Sequence, residues 1–191
     1  MKKTSYKNIF MFIIFVLSIT LLCVTGIGCE YQEVKNANVY IIGRDCVDSG
    51  GHCDINYEES QYATLIETGM ERWNEHKDVL RKESAFVLED VLITDVYDST
   101  ASWYGIFWFV KDEDGEYTGK GVVNYNAYYL NHTDFSDTND LHTIMHELGH
   151  TLGLNENTDG WDTSVMCQGK LTNTTLSPDD KASFNAAAEL Y

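Results

Sequence analysis

The sequence predicts an α+β fold, in which a mixed, twisted sheet of about five strands packs against a long helix, a histidine-rich helix and a C-terminal helix. Three observations support this class. Segments rich in β-branched and aromatic residues accompany segments of helical periodicity, the histidine-rich segment follows the strands as a block, and no internal repeat or long linker divides the chain. Beyond residue 28, the remaining length suits one domain with a single core.

The first 28 residues have the composition of an export signal. Three lysines precede an almost unbroken apolar run over residues 9–22, and small residues follow up to Gly28. We therefore expect residues 1–28 to be a signal peptide and residues 29–191 to act outside the cytoplasm. The residues before Cys29 resemble a bacterial lipoprotein cleavage box, so lipid anchoring at Cys29 and free secretion both remain open. The apolar run is short for an uncleaved membrane anchor.

The chain is strongly acidic, with 30 acidic and 13 basic residues and a formal net charge of −17. Such a surface repels phosphate backbones and anionic lipid head groups, which argues against nucleic acid as a partner and against membrane contact other than a lipid anchor at Cys29. Solubility explains the acidic excess as well as any basic substrate would. We expect a monomer.

The first part of the mature chain predicts a strand, a cysteine loop and a long helix. Residues 38–43 are β-branched and aromatic, as in a short buried strand. Cys46 and Cys53 bracket a glycine-rich loop, and in an oxidising compartment such a pair is predicted to form a local disulfide. From about residue 58 to residue 80, apolar residues recur at helical spacing, which predicts one amphipathic helix.

Three further strands are predicted between that helix and the histidine-rich segment, because these stretches are rich in Val, Ile, Phe, Tyr and Trp. They are residues 86–97, 103–110 and 122–130. The acidic residues Asp112, Asp114 and Glu116 lie in a turn-rich connection. Since the spacing of a calcium loop is absent, an acidic hairpin turn is the favoured interpretation and no calcium site is predicted.

Two helices complete the predicted order. Asn139 or Asp140 can cap the histidine-rich helix. The last helix is predicted to begin at Ser177, which can act as a cap, followed by Pro178 with its fixed φ and by two carboxylates at the positive end of the helix. It should run close to Tyr191.

The motif HELGH, at residues 146–150, carries the chemistry. His146 and His150 are four residues apart, so on a helix they lie one turn apart on one face and can bind a single zinc ion. Glu147 lies about 100° around the helix, too far to share that face but close enough to reach the metal's water. We expect Glu147 to act as a general base on that water and then to protonate a leaving nitrogen.

The segment as a whole resembles the metzincins, and among them the matrixin-type zinc endopeptidases. Their pattern HExxHxxGxxH is matched by His146, Glu147, His150 and Gly153, residues 164–166 resemble the methionine turn, and residues 176–191 resemble the matrixin C-terminal helix. The resemblance covers roughly residues 34–191. It implies a metzincin-like fold, zinc as cofactor, a peptide or protein substrate, and Met166 as the hydrophobic floor beneath the metal.

The sequence departs from that pattern at the third metal ligand. The family has His or Asp there, whereas this chain has Glu156. Asp159, three residues later, is the alternative. Two histidines with one glutamate form a known catalytic zinc set, so we favour Glu156 as the third ligand.

His142 stands one turn before His146. The stripe from His142 to His150 spans two turns, roughly 11–12 Å, which is too long for all three histidines to share one ion. We therefore expect His142 to be structural or to support the ligands. By resemblance, residues 122–130 would be the edge strand that binds an extended peptide along the cleft, although their tyrosines could equally fill core and rim.

These inferences lead to two functional hypotheses. The first is an exported zinc-dependent endopeptidase whose catalytic domain is residues 29–191, with His146, His150 and Glu156 as zinc ligands and Glu147 as the base. The second is a non-catalytic cell-envelope or binding module that keeps the fold and a structural zinc, which the unusual third ligand would explain.

Overall fold

The computed structural model describes residues 38–84, 89–159 and 163–191. The predicted signal peptide, Cys29 and the first part of the predicted strand 86–97 lie outside these ranges. Within them, no helix combines the length and the apolar character needed to cross a membrane.

The described residues form five strands and four helices. In chain order they are β1 Cys53–Asn56, α1 Ala63–Asn74, β2 Leu80–Lys82, β3 Val91–Val96, β4 Gly105–Lys111, β5 Tyr117–Asn126, α2 Ala127–Leu130, α3 Asp137–Thr151 and α4 Pro178–Ala188.

The five strands form one mixed sheet in the order β2-β1-β3-β5-β4. The pairs β1–β2, β1–β3 and β3–β5 are parallel, and β4 pairs antiparallel with β5 at one edge. The turn between β4 and β5 is closed by Asp112, whose N–H donates to the Glu116 carbonyl at 2.9 Å. The α+β class, the mixed sheet and the acidic hairpin turn are thus as the sequence predicted.

Helices α1 and α3 pack closely within the core. Gly69 of α1 makes the approach possible, since a Cβ there would lie 3.1 Å from side-chain atoms of both Ile144 and Leu148. Trp73 is fully buried, and its indole N–H donates to the Met145 carbonyl at 2.9 Å. Trp73 also meets Phe184 of α4 edge to face. All three long helices are therefore fixed around one indole.

Residues 38–43 are not a strand of the sheet, so that prediction is wrong. They run extended beside the segment that follows α3, with one isolated bridge between Ile41 and Leu154. The Ile42 N–H donates to the Gly153 carbonyl at 2.8 Å, and the Asn155 N–H donates to the Tyr40 carbonyl at 3.0 Å. These β-branched residues are extended, as their β propensity predicts, but they bond to a loop and not to a strand of the sheet.

The predicted helix at residues 58–80 is shorter in the structure, and two strands flank it. α1 ends at Asn74, whose side chain accepts from the N–H groups of Val79 and Leu80 and donates to the Leu80 carbonyl. This side chain closes the turn into β2. Leu80 continues the helical spacing of α1 but belongs to β2, because the chain turns between Asn74 and Leu80.

The predicted strand at residues 122–130 is correct only in its first half. β5 ends at Asn126, whose side-chain oxygen accepts from the N–H groups of Tyr128 and Asp98. The chain then turns into the short helix α2. Tyr128 and Tyr129 are therefore outside the sheet.

The predicted cap is wrong for α3 and correct for α4. α3 begins after Ser136, whose hydroxyl accepts from the Asn139 N–H while the Asn139 side chain bonds back to the Ser136 N–H. Asn139 is thus the third helical residue, and the predicted cap at Asn139 or Asp140 is wrong. α4 begins at Pro178 with Ser177 as its cap, as predicted.

The predicted disulfide between Cys46 and Cys53 is also wrong, because both are free thiols in the structure. Both are buried in the core. Cys53 opens β1 and lies 4.0 Å from the Thr151 hydroxyl, while a Cβ on Gly121 would come within 2.9 Å of the Cys46 sulfur. Burial raises the pKa of both thiols, which makes them unreactive as thiolates.

Candidate metal centre and cleft

The two motif histidines face each other across one turn of α3, with 3.2 Å between their Nε2 atoms. Their Nδ1 atoms lie 3.0 Å and 2.9 Å from the carbonyls of Val165 and Leu154. A carbonyl only accepts, so each Nδ1 must carry a proton and donate it. In the neutral rings, both Nε2 atoms then present lone pairs to the same point in space.

Glu156 completes this group, and Asp159 does not. The Glu156 Oε1 atom lies 3.4 Å from Nε2 of His146 and 3.3 Å from Nε2 of His150. Asp159 instead accepts a hydrogen bond from the Tyr40 hydroxyl at 3.0 Å. Gly153 turns the chain back toward the histidines with φ +86°, and a Cβ there would also crowd the Arg44 carbonyl.

The three donor atoms fit a tetrahedral zinc ion. Zinc with ligands at about 2.0–2.1 Å requires separations of roughly 3.3–3.4 Å between ligand atoms. The separations here are 3.2, 3.3 and 3.4 Å. The other carboxylate oxygen of Glu156, Oε2, is buried without a hydrogen-bond partner among the described residues, as expected where a bound cation would neutralise the carboxylate.

The electrostatics of the group favour positive charge at its centre. Burial would raise the pKa of Glu156, but its contacts with His146 and His150 hold that pKa well below the usual range. Burial opposes a proton on His146, yet the Glu156 and Glu147 carboxylates raise its pKa. The carboxylates therefore favour positive charge at this point, whether a proton or a metal ion carries it.

Glu147 lines the same cleft and lies almost entirely buried against β4. Burial raises the pKa of its carboxyl, while His146 and His150 act in the opposite direction. This position of the Glu147 side chain requires a glycine at residue 105, because a Cβ on Gly105 would lie 2.6 Å from Cγ of Glu147. Within the described part of the chain no group hydrogen-bonds the carboxylate, so its oxygens are available to a ligand in the cleft.

Met166 lies directly under α3. A Cβ on Gly149 would collide with the Met166 sulfur and would lie 2.9 Å from the Trp73 ring. The glycine inside the helix therefore makes room for the methionine. Met166 thus lies against the turn of α3 between the two histidines, and its role as a hydrophobic floor beneath a metal stays a prediction.

The turn that carries Met166 is held by Asp180, a role that the sequence analysis missed. The Ser164 hydroxyl donates to Asp180 at 2.5 Å, and the Val165 N–H donates to it at 3.0 Å. Asp180 is 1% exposed and also accepts from the Ser177 N–H. Because Val165 supplies the carbonyl that orients His146, Asp180 links α4 to the metal centre.

His142 lies outside the group of three donors. Its Nδ1 lies 2.6 Å from the Asn173 carbonyl and its Nε2 lies 3.2 Å from the Cys167 carbonyl. Both ring nitrogens are therefore directed at the segment that follows the methionine turn. The ring joins α3 to that segment.

The cleft, of ≈ 630 Å³, runs between α3 and the edge strand β4, with Trp103, Tyr104, Gly105 and Phe107 on its strand side. The strand along the cleft is thus β4, and the expectation that residues 122–130 fill this place is wrong. β5 lies one position further inside the sheet, where Tyr125 is fully buried. Local sequence pattern does not reveal which of two aromatic strands lies at the edge.

Comparison with known proteins finds similarity of structure alone, since neither a family model nor a curated protein matches the sequence. Archaemetzincin from Methanopyrus kandleri is similar with a TM-score of 0.51 and 11% identity, over 75% of this chain and 99% of that chain. Myroilysin is similar with a TM-score of 0.50 and 14% identity, over 81% and 98%. The GM1-bound form of the ECX AB5 holotoxin gives 0.50 and 12%, over 81% and 86%.

At 11–14% sequence identity, these similarities are evidence about the fold alone. The mixed five-stranded sheet with its helices matches archaemetzincin and myroilysin over most of their length, and the described residues include a His-His-Glu group suited to a metal ion. The chain therefore has a metzincin-like fold.

Proposed function

We propose that this chain is an exported zinc-dependent endopeptidase of the matrixin type. The observation that supports it best is the convergence of three donor atoms from His146, His150 and Glu156 at 3.2–3.4 Å, beside an unbonded Glu147 carboxylate in an open cleft. A purely structural site would need neither the cleft nor that additional carboxylate.

In this proposal His146, His150 and Glu156 hold the zinc ion. When bound, zinc supplies Lewis acidity, which polarises a carbonyl group and makes water more acidic. The Val165 and Leu154 carbonyls keep the Nδ1 proton on each imidazole, so both Nε2 atoms stay free to bind.

Glu147 moves the proton. Its carboxylate accepts a proton from the attacking water and then delivers it to the nitrogen of the departing amine. Cγ and the carboxylate of Glu147 lie in the space that Gly105 leaves beside β4, and the residue lines the cleft. The buried surroundings keep bulk water away from the proton while it is held there.

The cleft suits an extended peptide. β4 is an edge strand, so its outer backbone groups can pair with a substrate chain that passes the metal centre. A cleft that is open along a strand admits the middle of a chain, which favours endopeptidase action. Export rests on residues 1–28, with Cys29 either lipidated or the first residue of a secreted protein.

The test is digestion of an unstructured protein such as casein by purified wild-type protein and by Glu147→Gln. The wild type should release fragments, a chelator should stop it, and zinc should restore it. Glu147→Gln should still bind zinc but lose about 100-fold or more of its turnover. Undiminished turnover in that variant would exclude Glu147 as the base. Zinc binding by a wild type that cuts nothing would support the non-catalytic module instead.

A further inference from the structure

The third donor, Glu156, stands on an irregular segment, in contrast to the two histidines on α3. Its own backbone N–H is occupied by the neighbouring Asn155 side chain. A glutamate has three side-chain torsions, so a carboxylate on such a segment needs an external contact to stay aimed at the histidines.

Gln168 provides that contact. Its amide Nε2 donates to Oε1 of Glu156 at 2.9 Å, on the same oxygen that faces both imidazoles. A carboxylate oxygen has two lone pairs, so Oε1 can accept from Gln168 and bind a cation at the same time. The amide is neutral, and it therefore orients the carboxylate without repelling a metal ion as a lysine or arginine would.

Gln168 is itself attached to a well-held part of the chain. It follows Met166 by two residues, and the Met166 carbonyl accepts from the Asn157 N–H at 2.8 Å. The Cys167 thiol donates to the Asn157 carbonyl at 3.3 Å. The segment bearing Glu156 is thus bonded to the methionine turn through backbone and side chain together.

We propose that Gln168 is a positioning residue for the third metal ligand. The methionine turn and the residues directly after it would then orient two of the three ligands: His146 through the Val165 carbonyl and Glu156 through the Gln168 amide. The inference rests on the proposed zinc site and deepens it. Loss of such an outer hydrogen bond typically lowers metal affinity about 10–100-fold.

The experiment measures zinc affinity by competition with a chromophoric chelator, which does not depend on turnover. Gln168→Met keeps the length of the side chain and removes the donor, and it should bind zinc at least about tenfold more weakly than wild type. Gln61→Met makes the same change on an exposed residue shortly before α1 and should bind zinc like wild type. Melting of the metal-free forms checks that Gln168→Met folds normally.

A double-mutant cycle shows whether Gln168 acts through Glu156. In a Glu156→Ala background, Gln168→Met should no longer change the zinc affinity. Equal affinity of Gln168→Met and wild type overturns the inference, and so does an undiminished effect in the Glu156→Ala background. A wild type that takes up no zinc would instead refute the proposed function itself.

Discussion

At the scale of single residues, two glycines determine where side chains at the candidate metal centre can lie. Gly149 leaves room for Met166 under α3, and Gly105 leaves room for Glu147 beside β4. A glycine normally weakens a helix or strand interior by roughly 0.5–1 kcal/mol relative to alanine. At these two positions the space left by the missing Cβ is occupied by a side chain of the site.

Gly105→Ala should therefore lower kcat without changing zinc affinity. The new methyl group would displace Glu147, whose Cγ and Oε1 would lie 2.6 and 2.8 Å from it, while the histidines stay in place. We expect a fall of about tenfold or more, because misplacement of a reacting group by about 1 Å is that costly. Val110→Ala, on the same strand, is the control. Unchanged kcat in Gly105→Ala would show that the position of Glu147 does not depend on the glycine at residue 105.

Substitutions at Glu156 and Asp159 should have opposite outcomes. Glu156→Ala removes a proposed ligand and should weaken zinc binding by more than the roughly 10–100-fold typical of an outer hydrogen-bond partner. Asp159→Ala should leave the affinity unchanged, because that carboxylate bonds to Tyr40. Chelator competition measures the zinc affinity of both variants. Weaker zinc binding by Asp159→Ala than by Glu156→Ala would make Asp159 the ligand.

The residues of the candidate metal centre were predictable from sequence to different degrees. Helical spacing alone places His146 and His150 together. The choice of Glu156 over Asp159 depends on how the chain turns after Gly153 and on the bond between Tyr40 and Asp159, which joins residues 119 positions apart. Gln168 and Asp180 carry no recognisable motif for their roles, because they act through contacts made only in the folded chain.

At the scale of elements, the methionine turn depends on the first turn of α4. Asp180 accepts hydrogen bonds from Ser164, Val165 and Ser177, and an asparagine offers only one oxygen for them. Asp180→Asn should lower the free energy of unfolding by about 1–3 kcal/mol, as for a buried donor left unsatisfied.

Asp179→Asn is the matched control, since it removes a charge from the same helix turn at a side chain that accepts from Asn38 and Asn157 and has no bond to Ser164 or Val165. Its effect should be smaller than about 1 kcal/mol in the same denaturant titration. Equal losses in the two variants would mean that the bonds from Asp180 to the methionine turn do not explain the effect.

The first turn of α3 should make stability depend on pH. Burial, with a contribution from Asp137, raises the pKa of Asp140 to about 6, and one of its oxygens has no partner among the described residues. The folded state thus favours the protonated carboxyl. Stability from this group is complete below the unfolded pKa of about 3.9 and declines as pH rises to about 6.

Asp140→Asn should remove this decline. Between pH 4 and pH 7 the variant should gain about 1 kcal/mol of stability relative to wild type, allowing for screening near the helix end. Asp137→Asn, an exposed change in the same turn, removes only the smaller of the two contributions to this pKa and should keep most of the decline. Parallel stability curves for Asp140→Asn and wild type across this range would contradict the account.

Sequence patterns located most elements but not how they pair. The strands near residues 91–96 and 105–111 and the start of α4 were predictable because propensity, apolar pattern and cap agree there. The antiparallel edge position of β4 was not, since an aromatic strand has the same local pattern at an edge or inside a sheet. α1 was predicted too long because Leu80 continues its periodicity beyond Asn74.

At the scale of the whole molecule, the proposed zinc ion would join parts of the chain that are separate in sequence. α3 supplies two donors, the segment after Gly153 supplies the third, and the methionine turn fixed by α4 orients them. Metal binding should for this reason stabilise the entire fold. Ligand concentrations of 100 times Kd contribute about 2.7 kcal/mol.

The zinc content of the purified protein tests the central claim most directly. After incubation with excess zinc and removal of unbound metal, elemental analysis should find about one zinc ion per wild-type chain and far less in a folded His146→Ala/His150→Ala variant. A well-folded wild-type protein without zinc, or equal zinc in both proteins, would contradict the account.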